Sequence, residues 1–168
     1  MRKEEAYYHR ILLACGFDSE YDEWLESLLE EEPLSDLALD LVYCGSDNKK
    51  VIGCLENYCR DAVLDAEKVC DLLRGFLRDL YYSDKISIGE LAKTMKSFAK
   101  SYEFGDHGLD WHSGMHSMYC MWDYYDLTDI GIIKPDEYEK ALLAFINDGT
   151  VVNYEALWNK GAVRKNRV

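Results

Sequence analysis

The spacing of apolar residues predicts an all-α protein: a single compact domain of eight or nine amphipathic helices with little or no strand. Three observations carry that expectation. Apolar residues recur three and four positions apart along almost the whole 168-residue chain, the period of a helix with one buried face. Two prolines and eleven glycines leave little material for the many tight turns of a sheet of short strands. Hydrophobic residues make up 48% and charged residues 30%, an ordinary globular composition. The length suits one domain with a real core.

The first helix is expected over about 4–15, stopping at Gly16, a natural residue just past a helix end. The second covers about 19–31, with Tyr21, Trp24, Leu25, Leu28 and Leu29 as its stripe. Asp18 or Ser19 is placed to cap it, and Pro33 follows its end. A third runs about 35–44, from Ser35 to Gly45. A fourth, about 47–60, has Ser46 as its cap and Val51, Ile52, Leu55, Tyr58 and Cys59 inward.

The fifth and longest spans about 62–82, with Ala66, Val69, Cys70, Leu73, Phe76, Leu77 and Leu80 inward. The sixth opens on a capping box, Ser87-Ile-Gly-Glu90, and carries the stripe Ile88, Leu91, Ala92, Met95, Phe98, Ala99 and Tyr102. A glycine- and charge-rich loop at 103–110 follows. The seventh, about 111–125, holds Trp111, Met115, Met118, Tyr119 and Trp122. Pro135 starts the eighth, whose stripe is Tyr138, Ala141, Leu142, Phe145 and Ile146. A short ninth over about 151–159 ends before Gly161. The only strand candidates are KISI (85–88) and GIIK (131–134). Residues 1–160 thus form one helical domain, and 161–168, with Arg164, Lys165 and Arg167, a basic tail expected to fray.

Net charge is −13, which argues against direct nucleic-acid binding, since phosphate contacts need a basic surface. No stretch approaches the roughly 18 apolar residues that span a bilayer, so no membrane partner is expected. His9 and Arg10 interrupt the N-terminal apolar run before it can serve as a signal segment. A cytoplasmic location follows, with the six cysteines (15, 44, 54, 59, 70 and 120) reduced and mostly acting as small buried hydrophobes.

The charge is unevenly spread. From 11 to 48 there is no Lys, Arg or His, but eleven acids: Asp18, Glu20, Asp22, Glu23, Glu26, Glu30, Glu31, Glu32, Asp36, Asp40 and Asp47. With the second helix's stripe inward, Asp22, Glu23, Glu26 and Glu30 point outward; on the third, Asp36 and Asp40 share a face. Solvated helix faces usually alternate Glu with Lys. An uncompensated acidic face instead speeds association with a basic partner and competes with phosphate for it. Tyr43 lies at the end of this face. Further tyrosines (Tyr7, Tyr8, Tyr82, Tyr124, Tyr125) fall at or near helix edges, and MWDYYD (121–126) sets aromatics beside carboxylates as binding hot spots do.

Sites for chemistry are few. Asp79 and Asp126 each begin a segment with Ile eighth and Glu twelfth, the end spacing of a calcium-binding EF-hand loop. The third and fifth positions (Tyr81 and Ser83; Thr128 and Ile130) are not the acidic ligands that site requires. His107, His112 and His116, with Cys120, form the densest cluster of metal-ligating groups, but without the glutamate of HExxH. Ser46-Asp47-Asn48-Lys49 superficially joins the SxxK and SDN patterns of serine β-lactamases; no KTG follows, and the match is coincidental. A Cys120–His116 nucleophile and base would lack an orienting third group and an oxyanion hole. No catalytic role and no cofactor are therefore expected.

The segment LSDLALDLVYCGSDNKKVIGCLENYC (34–59), with the acidic helix before it, resembles in overall character the small acidic immunity proteins of bacterial contact-dependent and polymorphic toxin systems. Such proteins share no common motif, so no family residue is carried over. The resemblance implies an inhibitor of a basic toxin domain such as a nuclease, with carboxylates standing where phosphates bind. The alternatives are a metal-binding protein built on 107–120 and a non-catalytic regulatory adaptor.

Overall fold

A computed structural model describes residues 2–103 and 113–150. Among these residues the chain forms eight helices and no strand: α1 (Arg2–Ala14), α2 (Tyr21–Leu29), α3 (Asp36–Cys44), α4 (Asn48–Cys59), α5 (Ala66–Tyr82), α6 (Ile88–Glu103), α7 (Gly114–Asp129) and α8 (Pro135–Asp148). The predicted all-α class is the observed one. The expected ninth helix and the tail lie outside the described residues.

One hydrophobic core joins all eight helices. α1 lies at its centre, packed against α4, α5 and α6; α5 touches α1, α6, α7 and α8; α2 rests on α3, and α3 on α4. Although α1 reads RKEEAYYHRILLA, nine of its residues are buried, Glu4, His9 and Arg10 among them. Several of the polar groups among them are tied to other segments, as burial favours. The Arg10 guanidinium donates to Ser101 O (2.6 Å) and to Glu56 (2.6 Å). Tyr7 OH donates to Tyr102 O at 3.2 Å, and Glu4 accepts from the Asp65 N–H at 3.3 Å.

Helix starts follow local capping, and several differ from the expected ones. The capping box of α6 is present: Ser87 Oγ accepts from Glu90 N (3.3 Å), and Glu90 Oε2 accepts from Ser87 N (3.0 Å). Ser35 caps α3 through Ala38 N. For α4 the cap is Asp47, not Ser46, since its carboxylate accepts from both Lys49 N and Lys50 N. α2 has Glu20 at its N-cap without a side-chain cap bond, in place of Asp18 or Ser19. Glu20 instead accepts from Tyr8 OH, which ties α1 to the start of α2. α5 begins four residues later than expected, where Asp65 accepts from Lys68 N. α7 begins at Gly114, capped by Ser113, and continues to Asp129.

The two strand candidates are helix connections. Ser87 is already the cap of α6, and the N–H groups of Ile132 and Ile133 both fold back onto Leu127 O (3.0 and 3.2 Å), leaving no strand edge. The EF-hand echo also dissolves. Asp79–Tyr82 remain in α5 and Asp126–Asp129 in α7, so the first four positions of each supposed loop are helical. Gly114 permits the close seating of α7 on α5: a Cβ there would lie 2.7 Å from Cys70 Sγ, and its N–H donates to Glu67 at 3.1 Å.

Candidate protein-binding face

The acidic segment folds into α2, the turn after it, and α3. In α2 the buried positions are Tyr21 and Leu28, with Trp24 and Leu25 half-buried. Helical rotation of 100° per residue then turns Asp22, Glu23, Glu26 and Glu30 together to the outside, and all four are exposed. In α3, Leu37, Ala38 and Leu41 are buried against the core. The opposite face is Asp36, Leu39, Asp40 and Tyr43, an i, i+3, i+4, i+7 row, and each member is exposed. All seven residues expected to contact a partner are therefore at the surface.

None of the six carboxylates forms an ion pair with another described residue. Their neighbours do: Glu31 is paired with Arg2, and Asp47 with Lys50. Among the described residues no cation pairs with the central carboxylates, and the face keeps their negative charge. In water such a field reaches about one Debye length, roughly 8–10 Å at physiological salt.

The structure adds something the charge pattern did not indicate. Of the eight large hydrophobic side chains that are exposed among the described residues, five fall in this segment, Leu29, Leu34, Leu39, Val42 and Tyr43, the last 88% exposed; Val63, Tyr82 and Ile130 lie elsewhere. Leu29 had been expected in the core stripe of the second helix; α2 is short and touches α3, so only one side of its stripe is covered. The segment therefore exposes apolar side chains among its carboxylates, the two ingredients of an interface with hydrophobic and polar parts. A sequence signal existed: LALDLVY spreads apolar residues over most of the circumference of α3, more than one buried face can absorb.

Beside this face, a groove of about 690 Å³ runs between α3 and α4, lined by Asp40, Cys44, Lys50, Gly53, Cys54, Asn57 and Tyr58. Tyr21 OH, near Cys44 and Cys54, is buried without a hydrogen-bond partner among the described residues, and burial pushes its pKa up to about 12.

Other expected surface features are internal. Tyr7, Tyr8 and Tyr124 are buried, while Tyr43 and Tyr82 are exposed. MWDYYD is a core-facing stretch of α7 in which Met121 and Tyr124 are buried; Tyr124 and Tyr125 pack on Tyr138 at 5.4 and 5.3 Å between centroids. Helix edges in the sequence are not edges of the fold, because α1 and α7 are each covered on several sides. Of the cysteines only Cys59 and Cys70 are fully buried, and the other four are half-buried.

Of the histidine cluster, His107 and His112 lie outside the described residues. His116 and Cys120 do share one face of α7, with Cys120 Sγ 3.4 Å from His116 Nε2. No group of three or more metal-ligating side chains comes together among the described residues. None of the described helices is long and apolar enough to cross a membrane. No protein-family profile, characterised protein or solved structure matches the chain.

Proposed function

We propose that the α2–α3 face docks a basic protein, and that the chain acts as an inhibitor of the immunity-protein type, neutralising a basic toxin domain such as a nuclease. What supports the reading is one observation: six exposed carboxylates, without an ion pair among the described residues, and several exposed apolar side chains are carried by two adjacent helices and the turn between them. Carboxylates among such side chains attract a phosphate-binding surface and then desolvate it. The apolar side chains supply the non-directional part of the affinity. No step of chemistry is required of this chain.

The test is partner capture from the source cell, followed by calorimetric titration of the purified pair at low and high salt. Reversing Glu23, Glu26, Asp36 and Asp40 to Lys should weaken binding by at least about tenfold and abolish its loss with salt. Unchanged affinity with unchanged salt dependence would refute the acidic-face reading. A second reading, a metal-binding protein, draws on the 3.4 Å contact between His116 and Cys120. It predicts stoichiometric zinc by elemental analysis of purified protein, lost in His116→Ala.

A further inference from the structure

We infer that Cys44 and Cys54 form an oxidisable dithiol that closes into an intramolecular disulfide across the α3–α4 groove, with a peroxide as the oxidant. Cys44 is the last residue of α3 and Cys54 lies mid-way along α4. The connection Gly45–Asp47 is only three residues, so the two helices fold back on each other. Both cysteines line the same groove, and neither is fully buried. Their side chains are neighbours in that groove.

Access is open. Gly53, next to Cys54, also lines the groove, and open space lies where its side chain would be. Other described cysteines are placed differently. Cys59 and Cys70 are buried in the core, and Cys120 is held against His116. Burial, with Cys44 and Asp40 close by, pushes the Cys54 thiol up to about 11. Either sulfur can meet the oxidant first, and the product is the same in either order.

The steps balance. With Cys44 first, its sulfur attacks one oxygen of hydrogen peroxide, the O–O bond breaks, and one water leaves as a sulfenic acid forms on Cys44. The Cys54 sulfur then attacks that sulfur, forming the S–S bond and releasing a second water. Two thiols are oxidised by two electrons and one peroxide is reduced. The reaction does not depend on the proposed partner, so its outcome and that of the docking reading are separable.

The experiment treats the full chain with hydrogen peroxide, alkylates the remaining thiols and maps tryptic peptides by mass. The expected product has lost two hydrogens, keeps two of its six cysteines unalkylated, and joins the peptide 11–49 to 51–60. Dithiothreitol should reverse it. Cys44→Ser and Cys54→Ser should each abolish the product, whereas Cys15→Ser and Cys59→Ser, which alter the other cysteines of those peptides, should leave it. Circular dichroism checks that the serine variants remain helical. A cross-link that survives in Cys44→Ser or Cys54→Ser overturns the inference. So does oxidation of the folded wild type that stops at sulfenic or sulfinic acid, or that leaves all thiols free.

Discussion

Protonation of His9 should destabilise the fold as the pH falls below neutrality. The ring is 5% exposed, stacked on Trp24 with centroids 4.3 Å apart, and edged by Tyr8 and Tyr21. Its Nδ1 has no hydrogen-bond partner. Desolvation therefore penalises the imidazolium and lowers the pKa from 6.5 to about 4. Between those two values the unfolded chain binds a proton that the native protein refuses. Lowering the pH through this window thus draws the equilibrium toward unfolding.

At 1.36 kcal/mol per pKa unit the complete loss is about 3 kcal/mol below pH ~4, and about 2 kcal/mol of it has occurred by pH ~5. Against a typical total stability of about 5–15 kcal/mol, that is a large fraction. Urea unfolding of wild type and His9→Phe, followed by tryptophan fluorescence and far-UV circular dichroism at several pH values, measures it. The phenyl ring keeps the stack and removes the titration. The gap between the two proteins should change by about 2 kcal/mol between pH ~7 and pH ~5, to the disadvantage of wild type. A gap constant within about 0.5 kcal/mol would refute the reasoning, since His9 would then be charging without a burial penalty.

Four further outcomes follow from the packing. Arg10→Ala should cost about 2 kcal/mol in chemical unfolding, because it takes the guanidinium away from the part-buried Ser101 acceptors of α6. Glu56→Gln should cost less than about 1 kcal/mol, since the Glu56 side chain is 47% exposed against 8% for Arg10. Gly114→Ala should cost about 1–3 kcal/mol by driving a methyl group into Cys70 Sγ, with partial rescue when Cys70→Ala makes room. Tyr43→Ala should leave thermal stability within about 0.5 kcal/mol, as its ring covers little of the core; any loss of partner affinity then belongs to the interface.

The sequence by itself determined the helical class and most helix bodies, because a 3.6-residue apolar period and residues such as Ser87, Glu90 and Pro135 act within a few positions of one another. It also determined the acidic surface of α2 and α3. Side chains opposite a buried stripe have nowhere to go but outward, so Asp22, Glu23, Glu26, Glu30, Asp36 and Asp40 were legible as exposed. Only the tertiary structure decided the rest. α1 has a polar sequence yet becomes the central helix, because backbone carbonyls and carboxylates from distant segments meet Arg10 and Tyr7. Tyr7, Tyr8 and Tyr124 are buried for the same reason: cover comes from helices far away in the chain, which local periodicity cannot report. Leu39, Val42 and Tyr43 stay uncovered although they are as apolar as core residues, since no other described helix packs over that side of α3. The contact between Cys44 and Cys54 likewise exists only because α4 folds back along α3.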